Sequence, residues 1–377
     1  MRILHICSYY IGNKLYQNLI KQLFYEGIDQ EIFIPIKDKS LMKKNQLPPC
    51  YLNVNYYYRD ILRPYDKFLY HNKIKKQFRE LEGLIEVNRN LDFVHAHTIF
   101  SDGGTAYKLY EKYGVDYLVN VRNTDINSFY KYAIHLRPFM YKVLINAKAI
   151  VFIAYSYREK MLEILPKYVV SNIKDKCYVI PNGIDDYWLE NSIVKLEGKN
   201  SNIIKLLYIG TINKNKNLKT LILVCSKLIK EDYKVILNII GSGPLENECK
   251  NLSKKLRVDK YVIFHGYVEN KKSISSIMDE CDIFIMPSFK ETFGLVYIEA
   301  MSRGLPIIYT ENQGIDGFFK EGEVGFSVNP SSVQSIEKAI KNIKKNYRII
   351  SVKCHENSKK FNWKEIAKKY RNIYEQK

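Results

Sequence analysis

The feature that most constrains this chain is a steady alternation, from end to end, of short β-branched or aromatic runs with longer stretches of helical periodicity. Strands separated by helix-length connections can pair only in parallel, through crossovers, so the alternation calls for parallel sheets covered by helices. In the first half the strand-like runs are Arg2–Cys7, Gln30–Ile34, Phe93–His95, Tyr117–Val121, Ala149–Ile153 and Tyr178–Ile180. Leu15, Leu19, Leu23 and Phe24 mark the apolar face of a helix between the first two. After Pro181-Asn182-Gly183-Ile184-Asp185 the pattern lapses into a polar stretch, Glu190–Asn202, and then restarts. Strands are predicted at Ile204–Ile209, Val235–Ile240, Tyr261–Phe264, Asp282–Met286 and Pro306–Tyr309. Helices are predicted at Leu218–Ile229, Leu245–Leu256, Ser273–Met278, Phe293–Ser302 and Val333–Ile343. The expected class is α/β: two doubly wound parallel sheets in domains 1–184 and 203–355, a linker at 185–202, and a terminal segment at 356–377. Ligands are expected in a cleft faced by the carboxyl ends of the strands of both domains.

Composition narrows the class further. A chain of 377 residues that is 46% hydrophobic can bury two cores. The apolar start Ile3–Cys7 is too short for a secretory segment, and no run reaches the roughly 18 apolar residues of a membrane span. A cytoplasmic protein is therefore expected. Its seven cysteines, none in a CxxC spacing, read as reduced thiols rather than a disulfide framework or a zinc site. The net charge of +19 divides evenly, +10 on residues 1–184 and +9 on the rest. That is no nucleic-acid tail. It fits either a Lys-rich composition or an anionic partner, a phosphate-bearing substrate or an acidic membrane surface.

The most informative segment is CDIFIMPSFKETFGLVYIEAMSRGLPII, Cys281–Ile308. A buried strand ends at Pro287-Ser288, a loop delivers Glu291, and a helix begins near Phe293-Gly294. The first amides of that helix, at Gly294, Leu295 and Val296, have no intrahelical acceptor and stand at the positive end of its dipole. A helix start after a parallel strand is an anion site, and Gly294 lets a ligand approach the backbone. Glu299 falls on the second turn, eight residues after Glu291, so both carboxylates are expected to face one cavity.

Glu291-x7-Glu299, set in PS-x5-FGL-x4-EAM-x2-G-x-P, resembles the paired-glutamate motif of the retaining glycosyltransferase family 4. The resemblance is specific over Ile204–Pro330 and looser elsewhere. It implies the GT-B architecture of two Rossmann-like domains, an N-terminal acceptor-binding one and a C-terminal nucleotide-sugar-binding one, with a last helix (from Phe361-Asn362-Trp363-Lys364) crossing back to the first. It also implies a nucleotide diphosphate sugar as donor, a glycan or lipid-linked acceptor, and no cofactor or metal. Lys216, in Ile209-Gly210-Thr211-Ile212-x3-Lys216-Asn217, falls on the family's diphosphate lysine, while Thr211 stands where the family carries an arginine. Gly241, in Gly241-Ser242-Gly243-Pro244, and His265 fall in loops that flank the nucleotide. Glu246 occupies the place of the third glycine of a dinucleotide fingerprint, so nicotinamide binding is not expected; Pro244 suits a first helical position.

In the N-terminal half, Gly12 follows the first strand, in a loop that the family places against the distal phosphate. Arg122 stands where many relatives carry a histidine near the reacting sugar. It cannot act as a base at neutral pH, but can hold a sugar hydroxyl or a phosphate. His97 and Asp125 are expected to touch the acceptor, with helix capping the other reading of Asp125. His95 and His97 invite a metal reading, but the sequence shows no third ligand and no Asp-x-Asp. Tyr56 to Arg79 interleaves aromatics with Arg63, Lys67, Lys73, Lys75 and Lys76. It reads either as a solvated basic helix or as a face peripheral to the inner leaflet of the plasma membrane.

The resemblance implies front-face displacement, in which no protein nucleophile attacks and the departing diphosphate helps take the acceptor's proton. Glu291 would orient the donor sugar, Glu299 the ribose, and Lys216 and the amides following Phe293 the diphosphate. Bacterial capsule, O-antigen or lipopolysaccharide synthesis is the implied setting. The rivals are a nucleotide-sugar epimerase or another GT-B enzyme without a glycan acceptor and, more remotely, a basic nucleic-acid-binding protein; binding to nucleic acid is not expected.

Overall fold

The computed structural model describes residues 1–67, 69–87, 91–195 and 203–376. The chain forms two compact units: Met1–Ile153 with Tyr157–Asn182 and Trp363–Lys377, and Ala154–Ser156 with Gly183–Asn362.

The first unit holds seven parallel strands: β1 (Arg2–Ile6), β2 (Asp29–Ile36), β3 (Val54–Asp60), β4 (Phe93–Ala96), β5 (Tyr117–Val121), β6 (Ala149–Phe152) and β7 (Cys177–Val179), ordered β3-β2-β1-β4-β5-β6-β7. The second holds six: β8 (Ile203–Ile209), β9 (Lys234–Ile240), β10 (Val262–Gly266), β11 (Ile283–Ile285), β12 (Ile307–Thr310) and β13 (Gly325–Val328), ordered β10-β9-β8-β11-β12-β13. In each sheet the winding reverses beside the first strand, between β1 and β4 and between β8 and β11. The loops leaving those strands diverge there and open a crevice.

Two strands escape a reading of the sequence. The segment Tyr56–Arg59, which reads as part of a basic helix, lies on the edge strand β3, and the helix starts only at Tyr70 and runs to Val87. An edge strand tolerates charge on its free side, so Arg59 and Asp60 do not break it. Strand β13 is four residues long and starts at a glycine, where a Cβ would stand 1.8 Å from the Ile307 carbonyl oxygen. The Pro244 expectation also moves, since the following helix is Glu246–Lys255 and the proline sits in the turn before it.

The polar stretch after Asp185 carries a helix at Asp186–Glu190 and belongs to the second unit as far as Lys195; residues 196–202 lie outside the described residues. The terminal segment divides into helices Tyr347–Ser358 and Trp363–Tyr374. The latter buries Trp363, Ile366, Tyr370 and Ile373 against Leu19, Leu23, Leu118 and Val151 of the first unit. Burying such side chains stabilises by about 1.5–3 kcal/mol each, which ties the chain's end into this core. Among the described residues no helix is long and apolar enough to cross a membrane. All seven cysteines are free, and Cys50 is the exposed one.

Candidate functional site

The second unit's crevice is built by the loops after β8 and β11. Gly294 ends the β11 loop with φ 81° and precedes the helix Leu295–Ser302. A Cβ at Gly294 would lie 2.6 Å from the Tyr297 ring, and that ring cannot retreat. It is 1% exposed, and its hydroxyl donates to the Met286 carbonyl at 2.5 Å. No side chain caps the helix, so the amides of half-buried Leu295 and Val296 keep their positive end for a ligand. Phe293 is buried with its ring 5.5 Å from Phe318 and 5.8 Å from Phe361, and so offers only backbone.

Lys216 Nζ donates to Glu291 Oε2 at 2.5 Å, which joins the two loops at the crevice. Three asparagines that the sequence did not single out hold this geometry. Asn213 Oδ1 accepts from the Lys216 amide at 3.0 Å, and Asn215 exchanges hydrogen bonds with the Lys290 backbone at 3.0 and 2.8 Å. Asn217, left-handed with φ 59°, donates to the carbonyls of Pro287 (3.1 Å) and Pro330 (2.7 Å). Across the loop after β12, Gln313 Oε1 accepts from the Glu291 amide at 3.2 Å, and the Gly314 amide donates to the Glu291 carbonyl at 3.1 Å. A Cβ on Gly314 would stand 2.9 Å from Glu291 Cγ. The alternation Asn-x-Asn-x-Asn was the available signal, since asparagine favours loop hydrogen bonds and left-handed backbone.

The neighbouring donor-site candidates are mostly architectural. Gly241 has φ 136°, and a Cβ there would sit 2.0 Å from the Gly210 carbonyl oxygen, so the β8 and β9 loops pack backbone on backbone. Gly210 itself has ordinary room for a Cβ. Thr211 is exposed, and its carbonyl accepts the Tyr208 hydroxyl at 3.0 Å. His265, exposed at the end of β10, places Nε2 3.0 Å from Asn238 Oδ1.

Glu299 keeps different company from Glu291. Burial pushes its carboxyl up to about 7, against the pull of Lys271 and a hydrogen bond from Trp188. Lys271 also pairs with Asp185 at 2.6 Å. Among the described residues Glu291 and Glu299 share no hydrogen-bond or ion-pair partner.

In the first unit, Gly12 lies exposed in a turn after β1 with open space around its Cα. Arg122, half-buried after β5, donates from Nε to the His97 carbonyl at 3.3 Å, with its guanidinium 5.5 Å over the Tyr16 ring. Asp125 is 1% exposed and accepts from the amides of Arg122 (2.9 Å), Ile99 (3.2 Å) and Phe100 (3.4 Å). Its oxygens knit the β4 and β5 loops together, and burial pushes its carboxyl up to about 7. His97 is 1% exposed, with Nε2 3.1 Å from His5 Nδ1. Both side chains are enclosed by the first unit, although Asp125 also borders a cavity there.

His5 is also the third imidazole that the sequence did not reveal: one nitrogen of each of His5, His95 and His97 lies within 4.8 Å of the others. The set is a poor fit to a metal. His95 and His97 stack with centroids 4.0 Å apart and planes at 17°, so their in-plane lone pairs run alongside each other rather than converging. Both ring nitrogens of His95 are engaged, by the Tyr374 hydroxyl at 2.7 Å and Asn120 at 3.0 Å. Burial lowers the pKa of all three rings, to about 3 for His5.

Two parallel-sheet α/β domains, the second with an uncapped helix start beside a Lys–Glu pair at its switch point, define the GT-B class of architecture. Residues 191–361 match the family described as glycosyl transferases group 1. It is similar to the uncharacterized glycosyltransferase MJ1607 of Methanocaldococcus jannaschii, 27% identical over 213 residues, which are 53% of this chain and 54% of that protein. The chain thus spans about half the length of that relative. The lipopolysaccharide outer core galactosyltransferase WaaB in its apo form superposes with TM-score 0.74 over 99% of both chains at 17% identity. Anabaena Alr3699/HepE in complex with UDP and glucose superposes with TM-score 0.65 over 99% of this chain and 98% of that one at 15% identity. Identities this low speak for the fold.

Proposed function

We propose that this chain transfers a sugar, with retention and without a metal, from a nucleotide diphosphate donor to a glycan or lipid-linked acceptor. The observation that carries the reading is the Lys216–Glu291 pair beside the uncapped start of Leu295–Ser302. A diphosphate needs positive charge and backbone donors at one point, and the helix amides with Lys216 supply both where negative charge grows as the donor bond breaks. Glu291 is positioned through its own backbone by Gln313 and Gly314, as a residue that orients a sugar must be. Arg122 holds a sugar hydroxyl or an acceptor phosphate, and Glu299 the ribose. HepE, which shares this fold, binds UDP and glucose, and that supports a nucleotide sugar as donor. WaaB, of the same fold, is a lipopolysaccharide outer core galactosyltransferase, and that supports a role in bacterial surface polysaccharide.

Work at the inner face of the plasma membrane belongs to this reading. Exposed Lys75 and Arg79, with Tyr65 and Leu69 each half exposed, give the first unit a basic and aromatic border.

The test is a thermal-shift panel of UDP-, GDP- and ADP-sugars in the presence of EDTA. It is followed by NMR of the anomeric configuration of the product, or of the sugar released by slow hydrolysis. One nucleotide sugar should stabilise the chain without metal, and the configuration should be retained. A chain indifferent to all three donors, or one that inverts, ends the proposal.

A further inference from the structure

A second polar cavity, of about 200 Å³, lies in the first unit at the carboxyl ends of β1, β4 and β5. Its wall carries the hydroxyls of Ser8, Thr98, Ser101 and Thr124, the ring of Phe129 and the side chain of Lys73. Lys73 comes from the helix Tyr70–Val87, and its Nζ donates to Ser101 Oγ at 2.7 Å. An ammonium has three donors, so two remain. Lys73 has no ion-pair partner among the described residues, although it is half-buried.

The carboxylates nearby are engaged elsewhere. Asp66 accepts from Lys76 at 2.9 Å and from the Arg63 amide at 2.6 Å. Asp102 accepts from the Ser8 hydroxyl at 2.5 Å and the Ser8 amide at 3.2 Å. Asp125, also in the wall, is held by three amides. Asp102 and Asp66 act on the Lys73 ammonium only at longer range, so its two free donors facing the cavity can still take an anionic group of an occupant. The volume is below the ~300–1,000 Å³ of sites that enclose a whole drug-sized ligand, so the cavity takes one ring rather than a chain. Four hydroxyls suit a polyol, and the Phe129 ring, stacked on Phe100 at 4.8 Å, offers a flat apolar wall to a ring face.

We propose that this cavity seats an acidic sugar unit of the acceptor, with Lys73 gripping its carboxylate or phosphate. The inference rests on the transferase reading for the identity of the occupant as acceptor, but not for the binding itself. Lys73 is then a specificity-determining residue, and a neutral glycan is a poor acceptor.

The experiment titrates the full chain with glucuronate, glucose 6-phosphate and glucose by saturation-transfer NMR, in the presence of UDP so that phosphate sites elsewhere are occupied. The wild type should bind at least one of the two acids roughly tenfold or more tightly than glucose, and which acid is preferred separates carboxylate from phosphate recognition. Lys73→Met should abolish the preference and Lys73→Arg should keep most of it, with UDP affinity and melting temperature unchanged in both. A wild type that binds both acids no better than glucose, or a preference that survives Lys73→Met, overturns the proposal. Failure of UDP to bind the wild type would count against the donor site of the second unit and leave the comparison of the sugars standing.

Discussion

Neutralising Glu291 should strengthen nucleotide binding while it weakens catalysis. In the structure Lys216 Nζ and Glu291 Oε2 are 2.5 Å apart, with side chains 21% and 11% exposed. Any diphosphate bound at the helix start must share this ammonium with the carboxylate. Two unit charges 4 Å apart interact by about 4 kcal/mol at an effective dielectric constant near 20, and exposed pairs yield at most about 1 kcal/mol net. A half-buried pair lies between, at about 1–2 kcal/mol, which corresponds to roughly 5- to 30-fold in affinity. Glu291→Gln removes the competitor and one repelling charge, so a nucleoside diphosphate should bind roughly 5- to 30-fold more tightly. Lys216→Met removes the cation, and binding should weaken by about tenfold or more. Turnover should fall in both, by about 10²-fold or more, because one variant loses sugar positioning and the other loses charge stabilisation. Isothermal titration with the nucleoside diphosphate selected by the donor panel, alongside initial rates, measures both effects. If the two substitutions move nucleotide affinity in the same direction, the ion pair is not the phosphate grip and the reasoning fails.

Three further outcomes follow from the geometry. Gly241→Ala would place a methyl 2.0 Å from the Gly210 carbonyl oxygen at φ 136°; strain and overpacking together should lower stability by about 2–6 kcal/mol, read as the urea midpoint of the second unit's transition. Asn217→Ala leaves a buried carbonyl, that of Pro287, and a half-buried one, that of Pro330, without their donor at a left-handed position and should cost about 2–3 kcal/mol, with a rise in KM for the donor as the Lys216 loop loosens. Glu299, whose carboxyl is pushed up from 4.5 to about 7, binds more protons folded than unfolded. Stability should therefore lose on the order of 2–3 kcal/mol through this group as pH rises above 4.5, levelling off about a unit above 7, and Glu299→Gln should make the decline in urea midpoints from pH 5 to 8 shallower by that amount, leaving the share of Asp125. Equal slopes in wild type and variant would remove Glu299 as the cause.

Much of the fold was legible in the sequence because a strand buried on both faces has to be apolar along its length. Arg2–Cys7, Tyr117–Val121 and Ala149–Ile153 could scarcely be anything else. Strand β3 was not legible, since an edge strand need bury only one flank and Tyr56-Tyr57-Tyr58-Arg59 satisfies a helix rule equally well. The uncapped helix start was legible from Gly294 and the strand before it, because an unsatisfied amide is a property of local backbone. The burial of His97 and Asp125 was not legible, since a polar side chain after a strand looks the same in sequence whether it faces solvent or neighbouring amides.

By itself the sequence determined the alternation that compels parallel sheets, the one place where the pattern restarts, and the glycine-led helix start with the lysine and glutamates near it. These depend on period, turn chemistry and spacing, which act within about ten residues. The tertiary structure alone decided that Lys216 meets Glu291 across 75 positions, that Asn213, Asn215 and Asn217 hold that meeting, and that His5 joins His95 and His97. It likewise decided that Lys73 faces a cavity with no carboxylate in direct contact with its ammonium among the described residues. Contacts of that kind arise where strands distant in sequence become neighbours in a sheet, and strand order, unlike strand existence, is settled by packing among all the elements together.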